Sequence, residues 1–257
     1  MSVVGHKPKN STHYGILTPP MSKRNVRRAV PHANRILHAL PGHERRLLES
    51  KLENVELAQR RVVYQPNERI EHVYFPLSGV LSVVMESHEG LVEVATIGNE
   101  GIVGIAVFLG ASSTSEKAFS QIPGEALRIK SSTFRRVLPK APTLSKLLNK
   151  YVQTLMTQMA QGAACNRLHS PRQRCARWLL MTHDRVQTDS FQLTQEFLGL
   201  MLGVRRTGVS EVASSLQRAG LIEYSRGEIT VVDRTGLEKQ ACDCYAVIRG
   251  EFDRTFH

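Results

Sequence analysis

The hydrophobic period of this chain changes twice, and few architectures accommodate both changes. Between Arg61 and Ala95 the apolar residues fall in short β-branched and aromatic runs at 62–64, 72–75, 80–85 and 91–95. Turn-forming tetrads separate them: Gln65-Pro66-Asn67-Glu68, Pro76-Leu77-Ser78-Gly79 and Ser87-His88-Glu89-Gly90. Strands this short, at near-regular spacing, predict a β-barrel or sandwich, with 126–129 as its closing strand. After Pro142 the period lengthens: Leu144, Leu148, Tyr151, Leu155 and Met159 step by 4, 3, 4 and 4. That stripe predicts one long amphipathic helix over 143–168 with a coiled-coil-like seam, read here as a dimer helix. A helix over 36–55, interrupted at Pro41-Gly42, is expected before the strands. Another, over 172–182, carries Trp178, the only tryptophan.

Residues 192–232 change the pattern again. Thr194 can cap a helix that runs to Leu202, Gly203 ends it, and 205–219 forms a second helix with Val209, Val212, Ala213 and Leu216 on one face. Two short helices joined by a tight glycine turn make a helix-turn-helix. The runs 220–224 and 229–232, hinged at Arg226-Gly227, add a small hairpin or wing. Arg205, Arg206 and Thr207 open the second helix, where such a helix enters the major groove. Arginines at a helix N-terminus oppose the macrodipole, so they call for another reason to be there. Guanine O6 and N7 supply one, and Ser210 and Glu211 lie one turn on, where Glu211 can accept from a cytosine amino group.

Charge agrees with a polyanionic partner. The 257 residues carry 34 Lys and Arg against 23 Asp and Glu, a net +11. Seven of those cations precede the first acid, Glu44, leaving +4 for the 214 residues after position 43. The leader reads as a disordered basic arm or solvated tail. Met21 offers an alternative start, and the Arg-rich composition also resembles a transit peptide. Four cysteines do not make a disulfide scaffold, no run approaches the roughly 20 apolar residues of a membrane span, and no export signal is evident, so a cytoplasmic location is expected. No Gly-x-Ser-x-Gly elbow or His-Glu-x-x-His pair marks an enzyme.

Taken together, these residues resemble the Crp/Fnr superfamily of bacterial transcription regulators over about 45–245. The resemblance is carried by Thr194-Gln195-Glu196, by Leu202-Gly203-Val204-Arg205-Arg206-Thr207-Gly208-Val209 and by Leu216-Gln217-Arg218-Ala219-Gly220-Leu221-Ile222, with Val73-Tyr74-Phe75-Pro76-Leu77-Ser78-Gly79 in the barrel. It implies an α+β chain with an N-terminal jelly-roll-like β-barrel, a long dimerisation helix and a C-terminal winged helix-turn-helix. The expected divisions are a basic leader at 1–33, a cyclic-nucleotide-binding-like sensor barrel with flanking helices at 34–142, the dimer helix at 143–169, the DNA-binding domain at 170–235 and a tail at 236–257. It further implies a homodimer on double-stranded DNA with two-fold-symmetric sites, a small-molecule effector, RNA polymerase as a candidate partner, and no membrane. Base-reading positions fall on Arg206, Thr207 and Glu211, flanked by Arg205, Ser210 and Thr194. Thr207 and Glu211 depart from the family's usual Glu and Arg, so its operator is not implied.

The effector pocket departs further. Relatives that bind cAMP carry Gly-Glu for the ribose and Arg-Ser for the phosphate. Here Gly104-Ile105 and Glu116-Lys117 stand in those places. Ile105 cannot bond a hydroxyl, Glu116 repels a phosphate, and Lys117 is a point charge without a bidentate fork. An effector other than cAMP is therefore expected. Cys242 and Cys244 form a Cys-x-Cys pair, with Cys165 and Cys175 elsewhere. Buried inert thiols, a redox-responsive Cys242/Cys244 pair and a metal site all remain open, and no metal or cofactor is assigned. A ligand- or redox-sensing module that regulates a partner protein is the rival reading of the whole chain.

Overall fold

The computed structural model describes residues 33–88 and 90–256, without the side chain of Arg206. All but the last residue of the expected basic leader lies outside the described residues. A short helix α1 (Arg35–His38) and α2 (Gly42–Glu49) precede the strands. Asn34 caps α1, its Oδ1 accepting from Leu37 N, while its Nδ2 donates to the carbonyls of Pro76 and Gly101. One buried amide thus ties the N-terminal helix to two barrel loops.

The barrel consists of β1 (Glu53–Leu57), β2 (Val62–Tyr64), β3 (His72–Pro76), β4 (Val80–Ser87), β5 (Gly90–Ile97), β6 (Lys117–Ile122) and β7 (Gly124–Lys130), with the four-residue helix α3 (Ile105–Phe108) between β5 and β6. Two antiparallel sheets form, ordered β1-β7-β3 and β2-β6-β4-β5. Alternate residues of both, among them Phe75, Leu127 and Ile129 from one and Leu81, Ala95 and Ala118 from the other, share a single apolar core. The helix expected over 36–55 stops earlier, because Glu53–Leu57 pairs with β7. Glu-Asn-Val-Glu-Leu buries Leu57 and half-buries Val55, and pairing outweighs the helical spacing of its leucines.

Helix α4 (Ser131–Val137) leads to α5 (Pro142–Leu168), 27 residues long. Pro142 suits its first position. The buried carboxylate of Glu44 accepts from Thr143 N and Leu144 N, both at 2.9 Å, and so closes two of the helix's unpaired N–H groups. Those bonds, against the opposing pull of burial, hold the Glu44 carboxyl below its usual range. Leu144, Leu148, Tyr151 and Leu155 are buried within the subunit's own core, and Met159 is half-buried. The seam expected to meet a partner is therefore turned inward, because the barrel sheets offer that stripe an apolar surface within the same chain. The outward face carries Val152, Met156, Ala160 and Ala163 instead, with Met156 60% exposed.

The C-terminal half runs α6 (Pro171–Val186), β8 (Ser190–Gln192), α7 (Gln195–Leu202), α8 (Arg206–Arg218), β9 (Ile222–Ser225), β10 (Glu228–Val231), α9 (Arg234–Gln240) and α10 (Cys244–Phe256). The segment expected as a tail over 236–257 is largely helical over its described residues, in α9 and α10. Its stripe of Cys244, Tyr245, Ile248, Phe252 and Thr255 is buried, and α10 lies antiparallel along α5, with Thr255 Oγ1 2.6 Å from Thr154 Oγ1. A stripe mixing cysteine, tyrosine and threonine is a weak hydrophobic signal, which is why the helix was not legible.

Two polar contacts dock α6 on the barrel. Arg185 Nε donates to Glu100 Oε1 at 2.8 Å and its Nη2 to Thr96 O, with both side chains of the ion pair at least 93% buried. A Cβ on Gly98 would fall 2.6 Å from the Arg185 chain, so this approach needs glycine. Trp178 Nε1 donates to Glu93 Oε1, and Ser82 Oγ donates to Glu93 Oε2. Burial pushes the Glu93 carboxyl up to about 7, outweighing its two hydrogen bonds and the attraction of Arg177 and Arg185.

A pH dependence follows. Below the ordinary carboxylate value of 4.5 Glu93 is protonated in folded and unfolded chains alike; between there and about 7 only the unfolded chain ionises, so stability falls as pH rises through that window. Glu93→Gln, which keeps an acceptor for Trp178, is expected to flatten that fall by about 1–2 kcal/mol after allowance for solvent at the cleft edge. Urea unfolding at pH 5 and pH 8 measures it, other carboxylates being common to both proteins.

Candidate nucleic-acid interface

The helix-turn-helix is built by local chemistry. Thr194 Oγ1 accepts from Phe197 N and caps α7, and Gly203 ends it in the left-handed region at φ 60°. Val204 N returns to Gly199 O. A Cβ at Gly199 would stand 3.1 Å from both Val204 O and Val209 Cγ2, so the close crossing relies on glycine at that position. Leu198, Leu202, Val209, Val212 and Leu216 are buried in the crossing. Ser210 Oγ donates to Gln195 Oε1 across it at 3.3 Å.

The wing is fixed to this unit at two points. Tyr224 N donates to Gln217 Oε1, and Tyr224 Oη donates to Leu193 O. Strands β8, β10 and β9 form its sheet, β8 being an addition that the sequence reading lacked. Arg226 and Gly227 turn the hairpin with both φ values positive, the geometry of a two-residue type I′ loop.

The outer surface of α8 is polar. Arg205 at its N-cap, Thr207, Glu211 and Arg218 are exposed, as is Arg226 at the wing tip. Arg206 opens the helix, and its side chain lies outside the described residues. Thr194 is exposed, with its oxygen used as the cap, and Ser210 is half-buried in its bond to Gln195. The N-terminal part of α7 meets the barrel: Phe197 packs edge-on against Phe119 at 5.8 Å between ring centroids, and Glu196 Oε2 lies 3.9 Å from Arg60 Nη2.

The expected effector positions are placed as follows. Gly104, at φ 96°, leads into α3, whose first residue is Ile105. Glu116 and Lys117 are half-buried, and the Glu116 charge acts on the buried Tyr64 hydroxyl, which burial and that charge push up. Cys242 and Cys244 are buried at the start of α10, where Cys165 joins them, its Sγ 3.4 Å from Cys242 Sγ. That hydrogen bond favours a thiolate at Cys165. Cys175 lies apart in the main core, its thiol pushed up by burial to about 12. The convergence of Cys165 with the Cys-x-Cys pair was not legible, because it depends on α10 folding back along α5.

Residues 54–140 match the family model of the cyclic nucleotide-binding domain, and residues 173–240 that of the Crp-like helix-turn-helix domain. The transcriptional regulatory protein btr of Bordetella pertussis is 24% identical over 209 residues, covering 78% of this chain and 86% of that protein. Among solved structures, FixK2 from Bradyrhizobium japonicum superposes with a TM-score of 0.64 at 16% identity, over 74% of this chain and 98% of that one. A Crp/Fnr-family transcriptional regulator from Eubacterium rectale, itself described as putative, gives 0.62 at 17% identity, over 80% and 96%. Among the described residues no helix is long and apolar enough to cross a membrane.

The crossing at Gly199 sets a test. Gly199→Val is expected to force α8 from α7 and to lower unfolding stability by about 1–3 kcal/mol. Gly203→Ala, strained only by its left-handed backbone, is expected to cost about 1 kcal/mol. Thermal unfolding of both variants against the parent chain gives the order.

Proposed function

The chain is a Crp-like transcriptional regulator of the Crp/Fnr family, and from that premise we propose that it acts as a homodimer reading two-fold-symmetric DNA under the control of a signal other than cAMP at its barrel. The observation that carries this reading is the exposure of Arg205, Thr207 and Glu211 along α8, with Arg226 exposed at the wing tip. Arg206 and Thr207 take the base-reading positions nearest the groove floor, and Glu211 the next turn. Arg205 and Arg226 suit phosphates on either side, which position the helix without carrying sequence. Two such helices need half-sites about one helical turn, roughly 34 Å, apart.

The partner face follows from what α5 has left uncovered. Its inner stripe belongs to the barrel, so the outward Val152, Met156, Ala160 and Ala163 supply the apolar seam for a second copy. The signal is unlike cAMP because Ile105 cannot bond a ribose hydroxyl and Glu116 opposes a phosphate. Its effect reaches the DNA head through the two docking contacts, Arg185 with Glu100 and Trp178 with Glu93, which join the barrel directly to α6. A transcription complex containing RNA polymerase, in the cytoplasm, is the setting this reading implies.

Selection of short genomic fragments at near-physiological salt is expected to enrich two-fold-symmetric sites. Arg206→Ala is expected to relax selectivity at one base pair per half-site by about 1–3 kcal/mol, or roughly fivefold to 150-fold. Met156→Glu is expected to shift the dimer towards monomer in sedimentation and to weaken the same sites. Binding that follows salt alone, with no motif and no effect of Arg206→Ala, would overturn the reading in favour of non-specific attraction or a protein partner.

A further inference from the structure

A second site lies at the joint between the long helix and the DNA-binding domain. Cys165 and His169 stand one helical turn apart at the C-terminal end of α5, and Cys242 and Cys244 flank the entry to α10. Their ligating atoms, three Sγ and one ring nitrogen, all lie within 4.8 Å of one another. Cys165 Sγ is 3.4 Å from Cys242 Sγ, and Cys244 Sγ is 3.6 Å from His169 Nδ1. Tetrahedral bonds of about 2.0–2.3 Å to one ion require ligand atoms about 3.4–3.8 Å apart, so these contacts need only small adjustment.

The setting of the histidine points the same way. His169 turns Nδ1 towards Cys244, and its Nε2 lies 3.5 Å from the carboxylate of Asp243. A histidine with one nitrogen aimed into a ligand cluster and the other facing a carboxylate is the arrangement that orients metal-bound imidazole. The three thiols also form a buried cluster of their own, separate from the main hydrophobic core.

We propose that Cys165, His169, Cys242 and Cys244 bind one zinc ion per subunit in a closed Cys3His site. Three thiols release their protons to solvent on binding and a neutral imidazole completes the shell, so no electron transfer is involved. Three thiolates and Zn2+ leave one negative charge, and Arg177 on α6 lies near enough to Cys165 to offset it. A soft, thiolate-rich tetrahedral set favours zinc over magnesium or calcium. The compact spacing suits a single ion rather than an iron–sulfur cluster, whose several irons hold their cysteines further apart. A closed four-ligand shell is structural, not catalytic.

The position of the ion gives it a consequence. Leu168, His169 and Ser170 form the joint at which α5 ends and α6 begins. Zinc would tie the start of α10 to that joint, and α10 in turn covers α5 as far back as Thr154. The ion would then brace the relative setting of long helix and DNA head, independently of which DNA the head reads.

Full-length protein purified under reducing conditions without chelator is expected to contain about one zinc per chain, falling below about a tenth in Cys242→Ser/Cys244→Ser, while Cys175→Ala keeps it. Reduced apoprotein given zinc is expected to melt at a higher temperature, whereas magnesium leaves the melt unchanged. Cobalt in place of zinc should give the absorption of a tetrahedral thiolate site, a readout that does not depend on the variants folding. Reduced apoprotein that takes up no zinc would overturn the site, and so would zinc retained by the double variant. Iron with the visible absorption of a cluster, or a Cys165–Cys242 disulfide in place of metal, would replace zinc with redox chemistry. None of these readouts involves DNA, so the site and the DNA-binding reading stand or fall separately.

Discussion

The arrangement of the two halves depends on one buried ion pair. Arg185 enters from α6, and Glu100 waits in the loop after β5, with both nearly inaccessible to water. Such a pair gives little net stability, because desolvation offsets its attraction, but leaving either charge there without the other costs about 3–5 kcal/mol. Its strength is therefore in specificity. Arg185 also donates to Thr96 O and Met181 O, and Gly98 clears its path, so few other settings of α6 satisfy the guanidinium. The barrel loop that holds Glu100 also supplies Gly101 O to Asn34, which brings the N-terminal helix into the same junction.

Around that junction α5 serves three neighbours. Its first turn is closed by Glu44 from α2, its inner stripe fills the barrel core, and α10 covers its later turns. The face of Val152, Met156, Ala160 and Ala163 is turned outward. A change at any of these contacts alters the base on which the DNA head rests, and the barrel also touches the helix-turn-helix directly through Phe119 and Phe197. The cysteine cluster lies at the far end of the same helix, where α5, α6 and α10 meet. Glu100 at one end of α6 and the cluster at the other would hold that helix at both ends.

The helix-turn-helix was legible in detail because its signals are local. Thr194 as cap, Gly203 at the turn and the spacing of Val209, Val212 and Leu216 each act within a few residues, and all three recur in the structure. The barrel strands were legible for the same reason, the exceptions being Glu53–Leu57 and Lys117–Ile122, which carry polar residues and owe their state to pairing with neighbours.

By itself, then, the sequence determined the order of barrel, long helix and winged head, and which helix presents arginines, since periodicity and capping depend on neighbours along the chain. Tertiary structure alone decided which face of α5 is inward, because the same apolar stripe suits a partner or the subunit's own barrel. It also decided that the chain up to Phe256 folds back as helices α9 and α10, and that Cys165 and His169 meet Cys242 and Cys244 from more than 70 positions away. The buried pair of Arg185 and Glu100 belongs with these: 85 residues separate them, and nothing in either one's local sequence distinguishes it from a surface charge. Burial and long-range pairing are properties of the packed molecule, and a linear pattern carries them only where packing and chain order coincide.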